Sequence, residues 1–233
     1  LTGYPEQVEP MLQTAENLIY SQEPSVETKL MQGAIATARA YRTNMQGETT
    51  LAARFARQAL EYLQDTDLVS RSLRTVAISL FGDASSTNGD LVDAQQAYLE
   101  AKQICQAAGD IHLVIVVNSN LANILIELGS LHQAAEIYAE TLQMATRPDG
   151  GQPVITGRVY AELSQVNYEW NCLETASQQI HQSMALCQKW GNVDQQATGY
   201  VLLAQLEHAQ HRPAAVQEAI QYAERLANEH QLL

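Results

Sequence analysis

Positive charge is what this sequence has least of: 13 of its 233 residues are lysine or arginine against 26 aspartates and glutamates, a formal net charge of −13. A chain so charged repels a phosphate backbone and offers few counterion-releasing contacts, so it is not expected to bind nucleic acid by itself. Only Lys29, Lys102 and Lys189 carry an ammonium, and none follows a glycine in a phosphate-cradling loop, which excludes a nucleotide site of the P-loop kind. Cysteine is scarce too. Cys105, Cys172 and Cys187 are odd in number, match no zinc or redox spacing and fall in helical patterns, so they read as free thiols.

Long apolar runs are missing, so no membrane span is expected. The opening LTGYPEQVEP lacks the basic and apolar regions of a signal peptide, which leads to the expectation of a cytoplasmic protein. No nucleophile elbow and no Cys-His pair in a fixed context is present, so no catalytic residue is assigned and the chain is not expected to be an enzyme. His208 and His211, three apart beside Glu207, have no third ligand at helical spacing, and neither a metal nor another cofactor is expected.

What is present is a period. Five residues suited to helix-ending turns, Gly47, Gly89, Gly129, Asn171 and His211, follow one another in steps of 42, 40, 42 and 40. Glycine and asparagine suit the left-handed conformation that closes a helix; His211 is the weakest member, with Pro213 placed to open the next helix. Seven residues before each turn stands a small residue: Ala40, Gly82, Ala122, Ser164 and Ala204. Five after it come Ala52, Ala94, Ala134, Ala176 and Val216, and twelve after it Ala59, Ala101, Thr141, Ser183 and Ala223. Two helices approach to about 8–10 Å only where small side chains meet, so these columns mark the crossings of helical hairpins. Ala56, Tyr98, Tyr138, Ile180 and Ile220, nine after each turn, fill the remaining core.

The pattern places first helices at about 25–45, 67–86, 111–128, 152–170 and 193–210, and second helices at 48–64, 90–108, 131–146, 172–190 and 212–229. Polar breaks separate the hairpins, and only RPDGGQP at 147–153 is long. Ahead of them GYPEQVEPMLQTAENLI reads as a lone second helix, with Gly3 one period before Gly47 and with Pro5 and Pro10 in its first turns. The expected organisation is a single repeat domain over 1–233: a half repeat at 1–24, then repeats at 25–66, 67–110, 111–150, 151–192 and 193–233. That lone helix, and a start at leucine, lead to the expectation of a segment from a longer array.

The hairpin LANILIELGSLHQAAEIYAETL, residues 121–142, matches the tetratricopeptide pattern at its small, glycine, alanine and aromatic positions. A period of 40–42 exceeds the roughly 34 residues usual for that repeat and narrows the choice of subfamily. The segments ARAYRTNMQGETTLAARFARQAL (38–60), SLFGDASSTNGDLVDAQQAYLEA (79–101) and NYEWNCLETASQQI (167–180) resemble successive repeats of the superhelical sensor domain of MalT-type, LuxR-family ATP-dependent transcriptional regulators. The resemblance covers essentially the whole chain and rests on packing residues. It implies an all-α, right-handed superhelical solenoid of about 11 helices, and an effector-sensing segment whose ATPase and DNA-binding domains lie in the flanks. It transfers no catalytic residue.

In such stacks the first helices line an inner groove, and residues three or four apart share that face. Six before each turn stand Tyr41, Asp83, Asn123, Gln165 and Gln205. Ten before come Ser79 and Ser119, in line with Thr37, Ala161 and Val201, and three before comes Tyr168, in line with Asn44, Ser86, Ile126 and His208. With Arg158 at its edge, this grid of amides, hydroxyls and tyrosine faces suits a neutral polyhydroxylated inducer such as a sugar, or a peptide backbone. A clamp for a C-terminal carboxylate needs several basic residues, and Arg158 is nearly alone. The expectation is therefore a sensor domain of a MalT-like regulator that binds a small inducer or a peptide, with a protein-interaction scaffold outside transcription as the alternative.

Overall fold

The computed structural model describes residues 5–20, 23–64 and 67–230, and among these every regular element is helical. The order is α1 (Pro5–Tyr20), α2 (Val26–Met45), α3 (Thr49–Tyr62), α4 (Leu68–Thr87), α5 (Leu91–Ala108), α6 (Ile111–Glu127), α7 (Leu131–Ala145), α8 (Thr156–Glu169), α9 (Leu173–Trp190), α10 (Val193–Ala209) and α11 (Pro213–His230). This is the tetratricopeptide-like succession of helical hairpins, and the chain divides into two compact units, 1–124 and 125–233.

Local chemistry sets where the helices begin and end. Ser25 opens α2 with a reciprocal capping box: its hydroxyl accepts from the Thr28 N–H while the Thr28 hydroxyl accepts from the Ser25 N–H. Asp67 caps α4 through the Ser70 N–H, at 2.9 Å. All five turn residues lie in the left-handed region, Gly47, Gly89 and Gly129 at φ 75°, 86° and 78°, and Asn171 and His211 at 57° and 58°. After each of them one N–H reaches back five residues: Glu48 to the Thr43 carbonyl, Asp90 to Ser85, Ser130 to Leu125, Cys172 to Asn167 and Arg212 to Glu207, all at 2.7–2.9 Å. That bond closes the orphan carbonyls at a helix end and fixes the hairpin's reversal.

One boundary departs from expectation. α8 begins at Thr156 rather than near 152, because a turn from Arg147 to Gly151 and the Thr156 N–H on the Pro153 carbonyl take up the intervening residues. Gly3 of the expected lone helix lies outside the described residues.

Within the first unit α2 and α3 form a hairpin on which α4 packs, and α4 pairs in turn with α5. Ala40, Ala52, Ala56 and Ala59 are fully buried there, with Leu80 of α4 against Ala40 and Ala56. Gly82 lies where the Tyr98 ring of α5 passes over α4; a Cβ at Gly82 would stand 2.8 Å from the ring. α1 packs on α2 through charge as well as apolar surface: buried Arg39 meets Glu9 at 3.0 Å and Glu16 at 2.9 Å, and Arg42 meets Glu9 at 2.9 Å.

Within the second unit α8 and α9 form one hairpin and α10 and α11 another, with α10 packed on α9. Ala161, Ala176, Ile180 and Leu206 make its core, and Ser164 bonds across the crossing to the Ala176 carbonyl at 2.9 Å. The columns hold until the last hairpin. Tyr98, Tyr138 and Ile180 are at most 2% exposed, whereas Ile220 in the same register is 44% exposed, since none of the described helices covers that face of α11.

Candidate functional site

Position relative to the turn decides what each residue of the inner-face grid can do. Ten residues before a turn is three before the small crossing residue, so the two share a face of the helix. Thr37, Ser119 and Ala161 are accordingly buried, and Ser79 spends its hydroxyl on the Thr75 carbonyl at 2.9 Å. This corrects the expectation for Ser119: it packs inside the first unit, fully buried, and does not line an accessible groove. Six and three before a turn, by contrast, the side chains stand at the margin of the core. Asp83, Asn123, Gln165 and Tyr168 are half-buried; Gln205 is exposed and Tyr41 is 43% exposed.

In the first unit Asp83 is the centre of a polar node. Its carboxylate accepts from the Tyr98 hydroxyl in a very short contact and from the Asn120 amide at 3.1 Å. Three helices, α4, α5 and α6, thus converge on one carboxylate, and Asn123 lies three residues along α6 from Asn120, on the same side. Tyr41 stands exposed on α2.

In the second unit Arg158 is held by Glu162 at 2.7 Å, one turn along α8. The fully buried Tyr138 of α7 has its phenol pushed far up, first by burial and then by the Glu162 charge. Gln165 donates to Glu169 at 3.2 Å. Tyr168 packs against the Ala161, Ala176, Ile180 and Leu206 cluster and, with Gln205 and His208, lines a hollow of about 440 Å³ between α10 and α11. The structure therefore brings Asp83 together with neighbours of Asn123 in one unit, and Tyr168 with Gln205 in the other.

Sequence reasoning missed Asn120 and Glu162 as members of these polar arrangements. A signal for them existed: each stands nine residues before its turn, one helical turn from the residues six before it. Among the described residues no group of three or more His, Cys, Asp or Glu side chains gathers as a metal site would need, and no helix is long and apolar enough to cross a membrane. The Cys105 and Cys187 thiols are buried and pushed up, Cys105 to about 11, chiefly by burial; Cys172 is exposed.

Solved structures share this architecture. BtubC from P. vanneervenii superposes with a TM-score of 0.74 at 20% identity, over 98% of this chain and 91% of that one. A Rap protein complexed with competence and sporulation factor gives 0.76 at 13%, over 96% of this chain and 60% of the Rap chain. A signal transduction ATPase with numerous domains and a tetratricopeptide repeat sensor, from Pyrococcus horikoshii, gives 0.68 at 15%, and there the match spans 98% of this chain but 37% of the ATPase. At these identities the likeness shows the fold, a tetratricopeptide-like repeat that generally serves as a non-catalytic scaffold. No curated protein sequence matches the chain significantly. A family model described as the MalT-like TPR region matches residues 33–233.

Proposed function

The chain belongs to the MalT-like TPR region family, and from that premise we propose that it is the effector-sensing, protein-binding domain of a MalT-like regulator of the LuxR family. The observation that carries this reading is the half-exposed polar row six residues before the turns, Asp83 and Asn123 in the first unit and Gln165 in the second, with Tyr168 three residues beyond Gln165. These amides and the carboxylate offer donors and acceptors at the edge of a packed scaffold, the equipment for a polyhydroxylated inducer such as a sugar, or for a peptide backbone. Tyr41, Gln205 and Arg158 extend the row; Ser79 and Ser119, bonded or buried, serve packing.

The domain itself performs no chemistry in this reading. ATP hydrolysis and DNA binding belong to flanking domains, and an inducer acts by binding one arrangement of the repeats better than another, so that its differential affinity shifts the population. A thermal-stability screen against sugars, nucleotides and peptides identifies the ligand, since one present at 100 times its Kd adds about 2.7 kcal/mol. Calorimetry then follows. Asn123→Ala for a ligand held by the first unit, or Gln165→Ala for one held by the second, should cost about 1–3 kcal/mol of affinity by leaving a ligand group unpaired, with the melting temperature nearly unchanged. Undiminished affinity in both variants refutes the assignment.

The second reading is a protein-interaction scaffold outside transcription. It draws on the shared fold of the Rap protein complexed with competence and sporulation factor. Loss of binding on substituting second-helix surface residues, with Asn123→Ala and Gln165→Ala unaffected, would favour it.

A further inference from the structure

Asn88 is the one asparagine among the 233 residues that is followed by glycine. It forms the C-cap of α4, at φ −79° and ψ −5°, and Gly89 stands next to it at φ 86°. Both are exposed, and a Cβ built on Gly89 would meet nothing within 4 Å. With no side chain to shield it, the Gly89 backbone nitrogen is open to the side-chain amide of the residue before it. Asn171, also exposed, is followed by Cys172, whose side chain hinders that approach.

The folded turn holds the two reacting atoms apart. Closing a five-membered ring brings the Gly89 nitrogen and the Asn88 Cβ to the same side of the Cα–C bond, and the helical ψ of Asn88 separates them. Three hydrogen bonds keep that arrangement. The Gly89 N–H donates to the Ser86 carbonyl at 2.9 Å, the Asp90 N–H to the Ser85 carbonyl at 2.8 Å, and the Thr49 hydroxyl of α3 to Asn88 Oδ1 at 2.6 Å.

We propose that Asn88 is a site of spontaneous, one-way modification, deamidation through a succinimide, and that opening of the α4–α5 turn controls its rate. Such an opening is local, since the contact of Thr49 with Asn88 lies at the surface. In the open turn the Gly89 nitrogen attacks Asn88 Cγ: the N–Cγ bond forms, the bond from Cγ to the side-chain nitrogen breaks, and ammonia leaves with the proton that Gly89 gives up. Water then adds to one of the two ring carbonyls and breaks its bond to the Gly89 nitrogen. Attack at the backbone carbonyl gives isoaspartate, whose main chain runs through Cβ and Cγ; attack at Cγ breaks the other ring bond and gives aspartate.

Either product adds one negative charge to a chain of net charge −13 and places it at the C-terminal end of α4, where the helix dipole disfavours it. Isoaspartate also inserts a methylene between Ser85 and Asp90, whose bond closes this turn as its equivalents close the other four. The modified turn therefore opens more readily and holds the end of α4, the helix that carries Asp83, less firmly.

The intact chain is incubated at mildly alkaline pH in heavy-oxygen water, and the tryptic peptide 75–102, in which Asn88 is the sole asparagine, is sequenced by mass spectrometry. One heavy oxygen per chain should enter at position 88, shared between aspartate and isoaspartate, more slowly than in a free peptide of residues 84–94. Thr49→Val keeps the side-chain shape and removes the donor. It should raise the rate about two- to tenfold, the shift that losing one hydrogen bond gives an opening equilibrium, with the global melting temperature close to the parent's. Asn88→Gln should incorporate none, and the deamidated fraction, separated by anion exchange, should melt below the parent. Asn88 left intact in the parent and in Thr49→Val after the free peptide has converted fully overturns the proposal. So does conversion of the chain at the peptide's rate, or a Thr49→Val rate equal to the parent's, since either would mean that the turn does not gate the reaction. None of these readouts depends on a ligand at the polar row.

Discussion

Gly82→Ala tests the crossing columns at their tightest point. A methyl at position 82 would stand 2.8 Å from Cζ of Tyr98, 2.9 Å from Cε1 and 3.2 Å from Cε2, against an ordinary contact of 3.4–4 Å. The ring has little freedom to retreat: Tyr98 is 2% exposed, and its hydroxyl is bound to Asp83, which also accepts from Asn120. Overpacking of this kind costs about 1–3 kcal/mol, while the better helix propensity of alanine offsets about 1 kcal/mol of it. The expected net loss is therefore about 0–2 kcal/mol, read from urea denaturation followed by circular dichroism. The cause is checked by a double-mutant cycle with Tyr98→Leu, which removes the three clashing ring carbons. In that background Gly82→Ala should become neutral or stabilising. If Gly82→Ala alone stabilises by the full propensity difference, or if the cycle shows no coupling, the steric account of this column is wrong.

Ala122→Leu and Ala134→Leu, each at a fully buried crossing position, should lower stability by roughly 1–3 kcal/mol; a pair melting like the parent would contradict the register. Native protein should expose one thiol, Cys172, to Ellman's reagent at neutral pH, with three titrating after unfolding. Burial holds the Cys105 proton up to about pH 11 in the folded state, against an ordinary value of 9.0. The associated stability is thus complete below pH 9 and is lost as pH rises through 11, which alkaline denaturation curves of the parent and of Cys105→Ala would resolve. The purified chain should neither hydrolyse ATP nor retard duplex DNA at physiological salt, since it has no P-loop and a charge of −13; saturable turnover or a gel shift would overturn that division of labour. His211→Gly should stabilise by roughly 1 kcal/mol, because a β-carbon is costly at φ 58°; an unchanged melting temperature would show that the turn is strain-free.

Much of the fold was legible because its determinants are local or strictly periodic. Gly47, Gly89, Gly129, Asn171 and His211 announce left-handed helix ends by residue type and spacing, and all five adopt that conformation with the same reach-back bond. Alanines seven before and five after those turns announce crossings for the same reason, since nothing larger fits where backbones meet. α8 starts later than expected because Pro153, Val154 and Ile155 accept from the N–H groups three residues on, those of Thr156, Gly157 and Arg158, in a tight turn that the apolar pattern does not distinguish from a first helical turn.

The candidate site was legible only as a list of columns. Whether a polar side chain faces solvent or a neighbouring helix depends on where that neighbour lies, and no single helix records it. Ser119 and Asn123 are four residues apart on α6 and both polar. Packing buries the first completely and leaves the second at the margin. Tyr98 and Ile220 occupy one register, yet the first is sealed in and the second stands open. The sequence by itself determined the helices, their turns and their crossings, since backbone sterics and side-chain volume act over a few residues. Only the tertiary structure decides which hydroxyls and carboxylates are already spent on partners, that Asp83 joins three helices, and that none of the described helices covers Ile220 on α11, because burial and pairing belong to pairs of helices and not to either one.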